Sequence, residues 1–474
     1  MNVLLIISED NGQHLGCYGD TNVATPNIDR LAAEGVRFAN ASTTQSVCSP
    51  GRASIFTGLY PHQCGQIGLA THNYAQYEAF PNLFSLLKNE GYRTGLVGKL
   101  HVNPEEDFPI DMWWNDPDFI SFQNRDVHKM TEVGQAFITE SAQPFFLTVA
   151  YPDAHLPLLR QQCGIPAVPY EVGDVAVLPQ VGIDSPRLAQ HTADYYNCMS
   201  RLDTAVGLLL AELEKSGKAD DTLVIFTTDH GAQFSRGKTT CYEGGLSVPH
   251  IVRWPGVGTA GSVRQELVSH VDILPSVTDA LGLEAPAGAG QSQVPLWKAD
   301  PGDQTIKWRD HVCAEWTGAN PPCYFPQRSI RSARYKLIVT YLTDRPNPNA
   351  MFYSGPEQLW KPGATVQEIA QSSEPVQAAY DTFLNPPAEE FYDLSKDPWE
   401  FNNRINDPEL VAVRDDLRKK LAAWQKQTDD RIVDPDVLQR LTAEHDAISA
   451  SHYAESAWGS SRDFDWAYAE YLQG

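Results

Sequence analysis

Two things are missing from this sequence of 474 residues: an apolar run long enough to cross a membrane as a helix, and any C-x-x-C pair among its eight cysteines. The first absence removes a helical membrane anchor from consideration. The second removes the commonest zinc and dithiol frameworks. A chain of this size needs no disulfide scaffold, so the scattered cysteines read as reduced thiols. Basic residues are also scarce. Lys and Arg number 36 against 60 Asp and Glu, and the formal charge of -24 argues against non-specific binding to nucleic acid or to an anionic membrane surface. A local basic pocket can still override that global field for a small anion. Nor does a basic stretch or a small-residue cleavage site precede the opening "NVLLIIS". As it stands the chain reads as cytoplasmic, or as periplasmic or secreted if a leader has been removed. Homo-oligomerisation stays open.

What is present is a globular composition, 42% hydrophobic and 20% charged, at a length that suits one large domain with appendages or two domains. Short apolar runs alternate with helical patterns. "VLLIIS", "TGLVG", "FFLTVA", "TLVIFTT" and "HIVRW" read as buried strands. Between them "TPNIDRLAAEG" reads as a helix with Thr25 as its N-cap and Pro26 in first position, and "FPNLFSLLKNEG" reads as another. A longer helix is expected from Arg187 to Ser216, stopped by Gly217. Continuous apolar strands alternating with helices predict an α/β fold with a large, mainly parallel sheet covered on both faces over residues 1–310. Beyond the Pro- and Gly-rich "LEAPAGAGQSQVP" the pattern changes. "RSIRSARYKLIVTY" predicts hairpin strands and "PELVAVRDDLRKKLAAWQKQ" an amphipathic helix, so residues 311–474 read as a smaller C-terminal α+β domain with a small antiparallel sheet and terminal helices.

In such a sheet, ligands bind beyond the carboxyl ends of the strands, so the residues that follow each strand matter most. Glu9 and Asp10 follow the first, Lys99 and His101 follow "TGLVG", Asp153 and His155 follow "FFLTVA", and Asp229 and His230 follow "TLVIFTT", with Lys238 slightly beyond. Each alone has a bland explanation: an Asp after a strand is commonly a turn former, and a lone Lys is commonly solvated. Their coincidence at one edge is the signal. Glu9, Asp10 and Asp229 form a hard-oxygen set suited to a divalent cation such as calcium, without which clustered carboxylates would repel. Two lysines and Arg52 balance the three acids, so an added divalent ion leaves the pocket positive. That is a place for a small oxyanion.

Into this setting falls "QSVCSPGRASIFTG", with Cys48, Pro50, Arg52, Thr57 and Gly58 in C-x-P-x-R order followed by T-G. Together with the strand-end acids, "GKLH", "HLP" and "DHG" in the same order, it resembles the type I sulfatases of the alkaline-phosphatase-like superfamily. "EFYDLSKDPWEFNN" is similar to that family's C-terminal signature. The resemblance implies that a maturation enzyme oxidises Cys48 to Cα-formylglycine, whose hydrate is the nucleophile. It implies that Glu9, Asp10, Asp229, His230 and residue 48 surround one divalent cation, calcium first, with manganese or magnesium as alternatives. Arg52 would hold the diol and Asp229 would activate it. Lys99 and Lys238 would bind sulfate oxygens, His155 would protonate the leaving atom, and His101 would assist sulfate release.

Two positions depart from the family's pattern. Glu9 stands for the usual first Asp, and His230 stands where many relatives have Asn, which suits manganese as well as calcium. "GKLHVNPEEDFPIDM" and "CSPGRASIFTGLYPHQCG" are similar to the heparan N-sulfatase (sulfamidase) branch. The implied substrate is a sulfated sugar carrying an O- or N-sulfate, with residues 68–72, including His72, and Glu315 of "AEWTG" as rim contacts. The alternative from a shared pocket is a phosphonate monoester or phosphodiester hydrolase. A non-catalytic binding protein on this fold is a third reading, disfavoured because the expected catalytic positions are filled.

Overall fold

The computed structural model describes all residues except 301, 304, 356–360, 457, 460, 461 and 474. The first strand, β1 (Asn2–Ser8), is buried throughout because both sets of its alternating side chains are apolar. Leu4 and Ile6 enter one core, and Val3, Leu5 and Ile7 enter the core on the opposite face. The remaining strands of this sheet are β2 (Val36–Ser42), β3 (Arg93–Gly98), β4 (Met112–Trp114), β5 (Phe145–Ala150), β6 (Thr222–Thr228), β7 (His250–Arg253) and β8 (Ser262–Ser269). Their spatial order is β4-β3-β5-β1-β6-β7-β2-β8. Strand β7 is antiparallel to both its neighbours and the other pairings are parallel, so the sheet is mixed but mainly parallel, as the alternation of strands and helices predicts.

The five apolar runs mark β1, β3, β5, β6 and β7. Strands β2, β4 and β8 went unread, for a physical reason. The outer strands β4 and β8 and the neighbouring β2 bury only part of their side chains, so no continuous apolar run announces them. Helices cover both faces. On one lie α1 (Pro26–Glu34), Val127–Glu140 and the 30-residue helix Pro186–Lys215. That long helix begins one residue before the expected start, where Ser185 accepts a hydrogen bond from the Leu188 amide, and Gly217 follows it at φ 71°. On the other face lie α2 (Cys48–Thr57), Leu83–Asn89 and Ile273–Ala280.

A second, antiparallel sheet follows: β9 (His311–Trp316), β10 (Gln327–Ser332), β11 (Tyr335–Thr340) and β12 (Glu389–Asp393), in the order β12-β11-β10-β9. The predicted hairpin is β10–β11, and the predicted amphipathic helix is Val411–Gln427, followed by Pro435–His452. Apolar packing runs without a break from this region to the start of α2. Val47, Cys48 and Tyr74 share one cluster with Ala314, Trp316 and Phe325. Among the described residues, no helix is long and apolar enough to cross a membrane. All eight cysteines are free.

Candidate active site

Strands β3, β5, β1 and β6 are consecutive parallel neighbours that end level with one another. Ile7 lies opposite both Ala150 and Thr227, and Gly98 lies opposite Ala150. That register brings the residues after each strand to a single edge. Asp10 and His101 adopt φ of 54° and 61° there. A left-handed backbone costs a non-glycine residue about 1–3 kcal/mol, so the surrounding contacts hold both in place against strain.

Helix α2 enters the same edge with Cys48 as its first residue, and all ten of its residues are buried. Its sequence is rich in small side chains because it lies close to the end of β6. A Cβ on Gly51 would stand 2.5 Å from the Asp229 carbonyl oxygen, which also accepts a 2.9 Å bond from the Thr43 hydroxyl. The glycine of the C-S-P-G-R segment is therefore a close-approach residue, and it seats Cys48 against the acids.

The cysteine sulfur lies 3.5 Å from Glu9 Oε1, 3.4 Å from His230 Nε2 and 3.6 Å from Lys238 Nζ. Lys238 donates to Asp10 Oδ2 at 2.8 Å, Lys99 pairs with Glu9, and His230 Nε2 is 3.0 Å from Asp10 Oδ1. Arg52 donates through Nε to Asp229 Oδ2 at 3.0 Å and through Nη1 to the Lys99 carbonyl at 2.8 Å. Its Nη2 is buried without a hydrogen-bond partner, 4.0 Å from Glu9. Arg52 thus bonds Asp229, stands beside Glu9 and does not bond to Cys48. Donor atoms of Asp10, Cys48, Asp229 and His230 lie within 4.8 Å of one another, as do those of Glu9, Asp10, Cys48 and His155. Buried carboxylates suit a hard divalent cation, and the ring nitrogen beside them admits a transition ion such as manganese as well. The orientation of His230 agrees: Nδ1 is 2.9 Å from the Gly231 carbonyl, which leaves Nε2 for the cluster.

Charge in this cluster is strongly coupled. Burial alone would raise the Glu9 carboxyl, but Lys99, His155 and Arg52 outweigh it and hold it well below the usual carboxylate range. Asp10 is lowered likewise, against burial, by Lys238 and then the two histidines. Burial would depress His230, yet Asp229 and Asp10 raise it to about 10, so a ligating imidazole must release a proton as a cation enters. His101 goes the other way: burial, then Lys99, push it well below its ordinary value, and both its ring nitrogens are buried without a partner. His155 holds Nδ1 2.7 Å from the Leu156 carbonyl, which keeps Nε2 for the cleft.

The cluster forms the floor of a cleft of about 1030 Å³. Of the expected site residues, Glu9, Cys48, Lys99, His101, His155 and Lys238 line it, while Asp10, Arg52, Asp229 and His230 lie packed behind them. Leu69, Thr71 and His72 form part of its wall. His72 is buried rather than presented at the rim, and it shares a 2.7 Å hydrogen bond with the Tyr453 hydroxyl. Glu315 corrects the sequence reading. It is fully buried within β9, pairs with His62 Nδ1 and accepts the His62 amide at 3.1 Å, so it is a structural acid and no rim contact.

Sequence reasoning missed several wall residues. Arg125, Phe122, Trp458 and Arg462 come from connections and from the C-terminal segment, where no strand-end rule applies. Asp153 was visible as a strand-end acid, but its role is positional: Arg201 clamps it at 2.8 and 2.6 Å and so fixes the loop that carries His155.

The chain is similar to known proteins in sequence and in fold. The chain is 31% identical over 469 residues to human N-sulphoglucosamine sulphohydrolase, covering 90% of each. Among solved structures, the phosphonate monoester hydrolase of Agrobacterium radiobacter superposes with a TM-score of 0.68 at 20% identity, covering 90% of this chain and 96% of that one. A protein solved in complex with its substrate D-glucosamine-2-N,6-O-disulfate gives 0.67 at 19% identity, covering 92% and 99%. Both likenesses speak for the fold. The pattern described as N-sulphoglucosamine sulphohydrolase, C-terminal, matches residues 232–350. That of the sulfatases matches residues 1–283, the stretch that supplies every strand-end residue of the cleft, and the chain belongs to the sulfatase family.

Proposed function

We propose that this sulfatase hydrolyses the O-sulfate or N-sulfate of a sugar, with residue 48 as nucleophile and one divalent cation held by Glu9, Asp10, Asp229 and His230. The observation that carries the reading is the position of Cys48, within 3.4–3.6 Å of an acid, a histidine and a lysine at the head of a buried helix. A thiol nucleophile would need neither the carboxylate cluster nor two lysines. Conversion of Cys48 to Cα-formylglycine by a maturation enzyme would supply a hydrated aldehyde oxygen as nucleophile. The cation, calcium first with manganese or magnesium as alternatives, would supply positive charge next to it.

The chain's own residues do the rest. Lys99 and Lys238 face the cleft and hold the anionic oxygens of the substrate as charge shifts in the transition state. Arg52 orients Asp229, which accepts a proton from the nucleophile. His155 offers Nε2 to the leaving oxygen or nitrogen, and His101, with both ring nitrogens unpartnered, assists departure of the sulfate. Residues 1–310 act as the catalytic unit and 311–474 as the C-terminal unit. The name of the human relative favours an N-sulfated glucosamine as substrate.

Mass analysis of the peptide carrying residue 48, from protein made with the maturation enzyme, tests the nucleophile: the cysteine mass should be replaced by that of the aldehyde. An intact, alkylatable thiol in active protein would sink the mechanism. Paired aryl sulfate and aryl phosphonate esters test the reaction class. Turnover should favour the sulfate and vanish in Cys48→Ala; preference for the phosphonate would overturn the assignment.

A further inference from the structure

The outer wall of the cleft carries a cation that the hydrolytic step does not use. Arg462 sits in the C-terminal segment, far along the chain from the catalytic strands, yet it lines the same cleft as Cys48. It is held there from several sides. Its Nε donates to the Thr71 carbonyl at 2.8 Å, and its guanidinium stands 5.6 Å from the centre of the Tyr453 ring. Its own carbonyl accepts from Asn73 Nδ2 at 2.8 Å, and Trp466 Nε1 donates to the His72 carbonyl at 2.9 Å. Gly459 leaves room for it: a Cβ there would meet Arg462 Nη1 at 2.7 Å, and the glycine turns at φ 77°.

That loop is coupled to the nucleophile. Ser49, next to Cys48, accepts the Ala70 amide at 2.9 Å. Thr71, which holds Arg462, is the residue after Ala70. Beside the arginine, the exposed Trp458 indole packs against the His72 ring with centroids 6.1 Å apart and planes 26° from parallel. Burial and then Arg462 itself lower the His72 imidazole to about 3, so the cation on this wall is the arginine and not the histidine. No carboxylate pairs with Arg462 among the described residues, in a chain whose acids outnumber its bases by 60 to 36. An oriented guanidinium without an acid, beside an indole face and above a sulfate-binding floor, matches an anion on a sugar ring.

We propose that Arg462, with Trp458 beside it, is a second anion subsite that selects sugars carrying a further negative group, either a second sulfate on the same ring or a uronate carboxylate on the next. The proposal rests on the sulfated-sugar reading above and names the part of the substrate which that reading leaves open. It makes the C-terminal segment a specificity element.

Calorimetric binding to the Cys48→Ala protein tests it with three ligands: glucosamine 2-N-sulfate, glucosamine 2-N,6-O-disulfate, and N-sulfated glucosamine linked to a uronic acid. The parent should bind at least one two-anion ligand more tightly than the single-anion ligand, and which one it prefers identifies the second group. Arg462→Gln should lose about tenfold more affinity for that ligand than for glucosamine 2-N-sulfate, the size of one charge-assisted hydrogen bond, and Arg462→Lys should retain part of the gain. Equal loss on all three ligands would assign Arg462 to holding the loop and overturn the subsite, as would a parent with no preference or no binding. Turnover of the same ligands by the Cys48 protein is read separately. A binding preference without sulfate release would count against the hydrolase reading and leave the subsite standing.

Discussion

His155 is fixed through one ring nitrogen and free to react through the other, since Nδ1 is engaged by the Leu156 carbonyl. A proton donor matters in proportion to how badly the leaving group needs a proton. His155→Gln should therefore lower kcat/KM for an N- or O-sulfated glucosamine by about 10²–10⁴-fold while barely changing that for 4-nitrophenyl sulfate, whose phenolate leaves unaided. Steady-state kinetics on the two substrates check this, and equal loss on both would make His155 a sulfate-binding group instead. At this scale the residues that meet at the cleft floor were readable, because each follows a strand or sits in one short motif. Glu315 was misread because nothing local separates a rim acid from one buried in β9 under His62. Gly51 was visible in the motif, but its reason, the 2.5 Å approach to Asp229, exists only between two elements.

Between elements, a buried polar seam ties the short helix Pro61–Cys64 to the second sheet. His62 pairs with Glu315 on β9, and Arg328 on β10 grips Asp430 through two bonds of 2.8 and 2.9 Å. Burial would raise the Asp430 carboxyl, but Arg328 and then His62 overcome it and bring it down to about 2. A folded-state value below the unfolded one, about 4 for Asp, contributes stability that is fully present above pH 4 and lost as pH falls through 2. The wild-type protein should lose ~2 kcal/mol between these limits through this group. Asp430→Asn should be less stable than wild type at pH 6 and should show a shallower decline below pH 4, as measured by urea unfolding at several pH values. Burial pushes the other way on His62, whose value Glu315 and Asp430 raise overall, so its contribution is present below its unfolded value and lost as pH rises through the folded one. Apolar runs revealed the central strands at this scale, whereas half-buried β2, β4 and β8 had no signal of their own.

Glu9, Asp10 and Asp229 are buried together at one edge of the large sheet, so an ion that binds them only in the folded state should stabilise the whole molecule. An ion present at a hundred times its dissociation constant adds about 2.7 kcal/mol. Exhaustive chelation should lower the melting temperature, readdition of calcium or manganese should restore it in proportion to concentration, and Asp10→Asn should abolish the response. No ion-dependent shift in the parent would remove the cation from the site. The response should propagate beyond the large sheet, because Cys48 shares an apolar cluster with Trp316 and Phe325.

The sequence by itself determined the sheet's central strands, the polar residues at their ends and the motif that carries Cys48, because each depends on residues within a few positions of one another. Tertiary structure alone decided what the acids are paired with, which wall residues face the cleft, and that Arg462 reaches Thr71 across 391 positions. Such contacts depend on where two distant segments meet, and side-chain pattern within either segment carries no trace of the other.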